Sequence, residues 1–84
     1  MNVTVTYPGQ RQTIGPAGVV AIVAAALREG HTVTVHRADS PTRWDLRGAN
    51  RAVTATPVNP DLFAIDPDLP AWVERIAAAA ADLL

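Results

Sequence analysis

The longest apolar stretch of the sequence predicts a helix over Pro16–Glu29, ended by Gly30. No polar side chain occurs from Ala17 to Leu27. When the stretch is wound as a helix, its bulky side chains share an arc of about 160° and alanines fill most of the opposite arc. The bulky set is Val19, Val20, Ile22, Val23, Ala26 and Leu27; the opposite set is Ala17, Ala21, Ala24, Ala25 and Arg28. We therefore expect a helix that buries one face only.

Alternation of apolar and polar residues predicts four strands: Val3–Tyr7, Thr32–Arg37, Arg43–Arg47 and Arg51–Val58. Pro8 and Gly9 end the first strand, and residues 10–15 are expected to form a loop that leads into the helix. In the third strand Trp44 and Leu46 share the inward face. A strand, a helix and a strand in close succession form a βαβ unit, so we expect the first two strands to be parallel.

The chain changes character after the fourth strand, because four prolines between residues 57 and 70 prevent a long regular element. Residues 61–65 are predicted to form one helical turn or, alternatively, a short edge strand. Asp68 and Pro70 then begin a second helix. Its apolar face carries Leu69, Trp72, Val73, Ile76, Ala80 and Leu83.

Together these elements predict a single small α+β domain over residues 1–84. The expected order is β-α-β-β-β-α, with a mixed four-stranded sheet and both helices on one face of it. Each strand has one valine-rich and one threonine-rich face, which is consistent with a sheet covered on one side only.

Composition narrows the possible functions. The 84 residues are 49% hydrophobic, as in a folded domain, and contain no cysteine, which excludes disulfides and thiolate metal sites. No pattern of a nucleophile, base and acid occurs, so we expect neither an enzyme nor a cofactor or metal site. The N-terminal residues lack a secretory signal pattern, and a cytoplasmic location is the default expectation.

One segment resembles a nucleotide-binding motif. The residues from Leu27 to Arg37 are similar to the junction between the first helix and second strand of Rossmann dinucleotide-binding proteins. That resemblance implies a phosphate site at Gly15–Gly18 and a contact from Arg37 to a 2′-phosphate. The glycine spacing departs from the family's pattern, because a glycine would be needed near Thr13. A Rossmann-like βαβ fragment is therefore kept as the second alternative function.

The outward face of the predicted sheet supplies the first alternative. It combines threonines with His36, Arg43, Asp45 and Arg47. A flat polar face with arginines can contact a phosphate backbone, so this face is a candidate for binding nucleic acid. The net charge of −1 argues against a strong electrostatic attraction to a polyanion.

The favoured function is a small non-catalytic interaction or regulatory module. An open sheet invites strand pairing at its edges, so we expect self-association, with a homodimer as the expected form, or docking of a protein partner. In the strand order first-to-fourth, the Val3–Tyr7 strand is the expected docking edge. The residues expected to contact the partner are Thr4, Thr6, Arg43, Arg47, Asn59, Asp61 and Phe63.

Overall fold

The computed structural model describes residues 2–40, 42–58 and 68–84. One five-stranded sheet, with strand order β2-β1-β3-β4-β5, carries two helices. All four strand pairings are antiparallel. The elements in chain order are β1 (Val3–Tyr7), β2 (Gln10–Ile14), α1 (Pro16–Arg28), β3 (Val33–Arg37), β4 (Arg43–Ala49), β5 (Ala52–Val58) and α2 (Ala71–Asp82).

The prediction of a loop over residues 10–15 was wrong, because Gln10–Ile14 forms strand β2. Pro8 and Gly9 make a two-residue turn, in which Gly9 has a φ of +80°, and Tyr7 pairs directly with Gln10. Every side chain of β2 except Ile14 is polar, so the segment has the composition of a loop. The element order is therefore β-β-α-β-β-β-α with five strands, and the four-stranded β-α-β-β-β-α order is corrected.

The predicted parallel pairing of the first strand with Val33–Arg37 was also wrong. These strands, β1 and β3, are antiparallel, with Val5 opposite Val35. The chain enters α1 from β2, not from β1. Since β2 and β3 both run antiparallel to β1, they are parallel to each other, and α1 crosses over β1 to join them. The βαβ inference took the wrong strand as the one that precedes the helix.

The hairpin between β4 and β5 turns at Asn50 and Arg51. Both residues have positive φ, 53° and 64°. Two successive residues with positive φ suit a two-residue hairpin, because that geometry matches the twist of the flanking strands. The turn pairs Ala49 with Ala52 and sets the register of β4 and β5.

Both helices pack on one face of the sheet, where they bury the inward side chains of the strands. Trp44 and Leu46 lie inside, as predicted. The core consists of Val3, Val5, Val19, Val23, Ala24, Ala26, Leu27, Val33, Val35, Trp44, Leu46, Val73, Ile76 and Ala80. The opposite face of the sheet is covered by neither helix.

The helix faces need two corrections. Ala24, expected on the open side of α1, is 0% exposed. Ala24 belongs to the alanine side of α1, which was expected to face water. It is buried because α1 packs against α2 as well as against the sheet. Leu69 and Leu83, expected on the apolar face of α2, are 44% and 50% exposed.

The start of α2 also differs from the prediction. Its N-cap residue is Pro70, which makes no side-chain hydrogen bond to the helix, so Asp68 is not the cap.

We predict that Ala24→Glu unfolds the domain, whereas Ala21→Glu leaves it folded. Ala24 is fully buried and Ala21 is exposed, although the two residues lie one turn apart on α1. A buried unpaired carboxylate costs several kcal/mol, which is comparable with the whole stability of a small domain. Circular dichroism melts of both variants test this. A folded Ala24→Glu protein would contradict the packing of α1 against α2.

Candidate functional site

The strand order decides which backbone groups are free to bind a partner. Thr4 and Thr6 of β1 pair with Thr13 and Arg11 on one side and with His36 and Thr34 on the other. Strand β1 is therefore interior, and the expectation that it is the docking edge was wrong. The sheet edges are β2 and β5.

Strand β5 turns the backbone groups of three residues outward. In an antiparallel pair, opposite residues alternate between positions that bond to the neighbouring strand and positions that do not. Ala52 forms backbone hydrogen bonds with Ala49 across the two-residue turn. By this alternation the backbone groups of Val53, Ala55 and Pro57 point away from β4. Pro57 has no N–H to offer, which fits its place on an open edge. Within residues 2–40, 42–58 and 68–84, no strand pairs with the outward N–H and C=O groups of Val53 and Ala55.

The two edges are protected unequally. By the same alternation, the backbone groups of Arg11 and Thr13 on β2 point away from β1. The charge of Arg11 opposes the pairing of β2 with an apolar strand. Strand β5 carries no charged residue from Ala52 to Val58, and only Pro57 blunts it near its end. Among the described residues, β5 is therefore the edge of the sheet without a protecting charge.

A groove of about 390 Å³ runs between the edge strand β5 and α2. On the helix it is bordered by Glu74, Ala77, Ala78 and Ala81, which recur at helical spacing on one stripe. On the strand it is bordered by Val53 and Ala55, and Arg51 stands at its hairpin end. The groove therefore has an apolar lining with one charge of each sign.

The uncovered face of the sheet is a polar surface built from rows of opposed side chains. Thr4 Oγ1 lies 3.1 Å from Thr13 Oγ1, and Thr34 Oγ1 donates to Asp45 Oδ1 at 2.6 Å. Both pairs occupy positions without backbone bonds between their strands, where side chains approach most closely. This face has a shallow groove of about 270 Å³.

The residues predicted to contact a partner divide into three groups. Thr4, Thr6 and Arg43 border the groove of the uncovered face. Arg47 lies on the same face, opposite Thr54, but does not line that groove. Asn59, Asp61 and Phe63, together with the predicted helical turn or edge strand over residues 61–65, lie outside the described residues.

Three residues that now border candidate surfaces were missed by the sequence reasoning: Arg11, Arg51 and Glu74. Arg11 was placed in a loop, and the only signal for a hairpin was the turn dipeptide Pro8-Gly9 itself. Arg51 and Glu74 gave no signal, because only the packing of α2 beside β5 brings both to one groove.

Arg37, predicted as a 2′-phosphate contact under the Rossmann resemblance, is engaged within the domain. Its Nε donates to Asp39 Oδ1 at 2.7 Å and its Nη2 to Asp39 Oδ2. The guanidinium carbon lies 5.3 Å from the ring centroid of Trp72, a cation–π distance. The hydrogen bond from Arg37 lowers the pKa of Asp39 below its usual range. The contact between Arg37 and Trp72 thus joins the end of β3 to the start of α2.

The two histidines lie apart. His31 stacks on Tyr7, with ring centroids 6.4 Å apart. Its Nε2 lies 3.4 Å from Glu29 Oε2. His36 lies on the uncovered face, where its Nε2 is 3.2 Å from the carbonyl oxygen of Ser40. Within residues 2–40, 42–58 and 68–84, no group of three side chains is arranged to hold a metal ion.

Comparison with protein-family models, with curated proteins and with solved structures finds no match to this chain. In the described part of the chain, neither helix has the length and apolar character needed to cross a membrane.

We predict that the Arg37–Asp39 pair makes the stability of the domain sensitive to acid. A carboxylate with a lowered pKa stabilises the folded state above its ordinary pKa of about 3.9, and this contribution is lost as the pH falls through the lowered value. The melting temperature of the wild type should therefore exceed that of Asp39→Asn at neutral pH, and the difference should disappear at an acidic pH below the lowered pKa of Asp39. Asp82→Asn, at the exposed end of α2, is the control. An equal difference at both pH values would contradict the assignment.

Proposed function

We propose that the protein is a non-catalytic interaction module that self-associates through the edge of β5. The observation that carries the proposal is the uncharged edge itself, where the outward backbone groups of Val53 and Ala55 have no partner strand in the described part of the chain and lie beside an apolar groove. Edge strands of this kind pair readily with another strand. The cytoplasmic location expected from the sequence stays part of the proposal.

A second copy fits this edge in an antiparallel register centred on Thr54. In that register Val53 lies opposite Ala55 of the second copy, and Ala55 lies opposite its Val53. Each N–H and C=O group that faces outward at these two positions then finds a partner. A two-fold axis relates the two strands, so the contact closes after one pairing and gives a dimer with one continuous sheet.

Charge complementarity supports a second copy as the occupant. The end of α2 lies beside the hairpin, since Leu84 Cδ1 is 3.2 Å from the position that a side chain at Gly48 would take. Glu74 lies in the first turn of α2 and borders the same groove as Val53 and Ala55, and within the described residues it forms no salt bridge in its own copy.

In the proposed register, Pro57 lies opposite Arg51 of the second copy. Each Glu74 is therefore brought close to Arg51 of the other copy, and the two-fold axis repeats the ion pair. The alanines that border the groove at positions 77, 78 and 81 leave room for the two α2 helices to lie side by side.

Sedimentation velocity at micromolar concentrations, combined with a charge exchange, tests the proposal. We expect the wild type to have twice the monomer mass. Arg51→Glu and Glu74→Arg should each weaken the dimer, because each brings two like charges together. The double variant should restore it. Arg28→Glu, which alters an exposed arginine at the end of α1, should leave the dimer unchanged.

Ala55→Pro provides a second variant for the same experiment. It removes an N–H that faces away from β4, so it should preserve the fold and abolish the dimer. A wild type that stays monomeric at all concentrations would overturn the proposal. So would a dimer that tolerates both Ala55→Pro and the single charge changes.

The two alternatives drawn from the sequence have weaker support. For nucleic acid, the uncovered face offers arginines, but the inward position of Trp44 removes the aromatic side chain that base stacking would use. For a Rossmann-like nucleotide site, the strand that precedes α1 is the polar edge strand β2, and Arg37 is paired with Asp39. Neither alternative is supported by a binding surface as well defined as the uncharged edge of β5 and the apolar groove beside it.

A further inference from the structure

We infer that the groove on the uncovered face of the sheet binds a small phosphorylated ligand, independently of self-association. Its border includes Thr4, Thr6, Arg11, Thr34, His36 and Arg43, which come from four adjacent strands. These side chains lie on the face opposite to the helices and away from the outward backbone groups of β5. The inference therefore concerns a second site.

Two arginines give the groove its positive charge. Arg11 on β2 lies in the same row as Thr6, Thr34 and Asp45, and Arg43 lies two residues along β4 from Asp45. The two arginines therefore stand diagonally on either side of β1 and β3 and border the same groove. Both side chains are exposed, and neither forms a salt bridge within the described residues. Guanidinium groups without a carboxylate partner are suited to bidentate binding of an oxyanion.

Hydroxyl and imidazole groups form the floor between the two arginines. The Thr6 hydroxyl makes no hydrogen bond within the described part of the chain, and it lies opposite both Arg11 and Thr34 in the sheet. In the Thr4–Thr13 pair only one hydroxyl can donate to the other, which leaves one O–H for a ligand. His36, opposite Thr4, borders the groove, but its Nε2 is directed to the carbonyl oxygen of Ser40, so the donors to the ligand are the hydroxyl groups and the arginines.

The arrangement of these donors favours phosphate over carboxylate. Donors stand on two opposite walls and on the floor, so they approach an anion from at least three directions. A phosphate group has oxygens in all of these directions, whereas a carboxylate has two oxygens in one plane. The volume of about 270 Å³ is near the lower limit of about 300 Å³ for ligand pockets, which indicates a small ligand.

Asp45 limits where the anion can lie. Its carboxylate accepts the hydroxyl proton of Thr34, so Thr34 cannot donate to the ligand and a negative charge remains at that end of the groove. The phosphate must therefore lie over Thr4 and Thr6 of β1, where the side chains of both Arg11 and Arg43 border the groove. Asp45→Asn keeps an acceptor for Thr34 and removes the repulsion, so it should strengthen binding.

Titration of the full chain with pyrophosphate, followed by amide NMR at low salt, tests the inference. We expect the largest shifts at Thr4, Thr6 and His36. Arg11→Gln and Arg43→Gln should each weaken binding by about fivefold or more, since each removes a charge-assisted contact. Asp45→Asn should tighten binding, and Arg28→Gln, on the far side of the domain, should leave it unchanged.

Parallel titrations distinguish the sources of the phosphate and the competing ligand classes. Binding of inorganic phosphate or of adenosine monophosphate at the same residues would support the inference and identify a free phosphate or a phosphate ester. Equal binding of succinate would overturn the preference for phosphate. Affinity that rises with the length of an oligothymidylate would overturn the small ligand in favour of a nucleic-acid backbone. Pyrophosphate binding that is absent, or unaffected by both arginine changes, would overturn the site.

Discussion

The two-residue turn at Pro8-Gly9 is the constraint on which the rest of the structure depends. Gly9 adopts a φ of +80°, which a residue with a side chain rarely does. The turn folds β2 back along β1, so β1 gains a neighbour on each side and becomes an interior strand. It also moves the start of α1 to the end of β2. The crossover to β3 then passes over β1, and both neighbours of β1 run antiparallel to it.

The sequence was sufficient for the parts of the fold that depend on local pattern. The bulky stripe of α1 and the alternation around Trp44 and Leu46 predict both elements and their buried sides. Pairing could not be predicted in the same way, because a strand keeps the same alternation whichever neighbour it has. Strand β2 has polar residues at four of its five positions, and hydrophobic pattern alone does not separate such an edge strand from a loop.

The candidate sites likewise divide into features set by local sequence pattern, which could be predicted, and features set by strand pairing, which could not. The uncovered threonine face was predictable, because it is the polar half of the alternation in each strand. The edge available to a partner was not predictable, since it depends on the order of the strands. Because one hairpin was missed, the Val3–Tyr7 strand was expected at an edge although it is interior, and Arg11 was assigned to a loop. The groove beside β5 required the position of α2, which brings Glu74 and Arg51 to the same surface.

The two proposed sites use different parts of one sheet. The edge of β5 offers backbone groups and an apolar groove, whereas the uncovered face offers side-chain cations and hydroxyls. Self-association through β5 would extend the sheet and leave the uncovered face of each copy open. The fold therefore allows a paired module to carry two identical anion sites on one side.

Amide hydrogen exchange at Val53 and Ala55 tests the central claim, that β5 is the edge through which copies pair, most directly. We predict that both amides are protected at high protein concentration and exchange quickly after dilution. The amides of Arg11 and Thr13, on the other edge, should exchange quickly at both concentrations. Thr4 and Thr6, inside the sheet, should be protected at both. Rapid exchange at Val53 and Ala55 regardless of concentration would contradict the account.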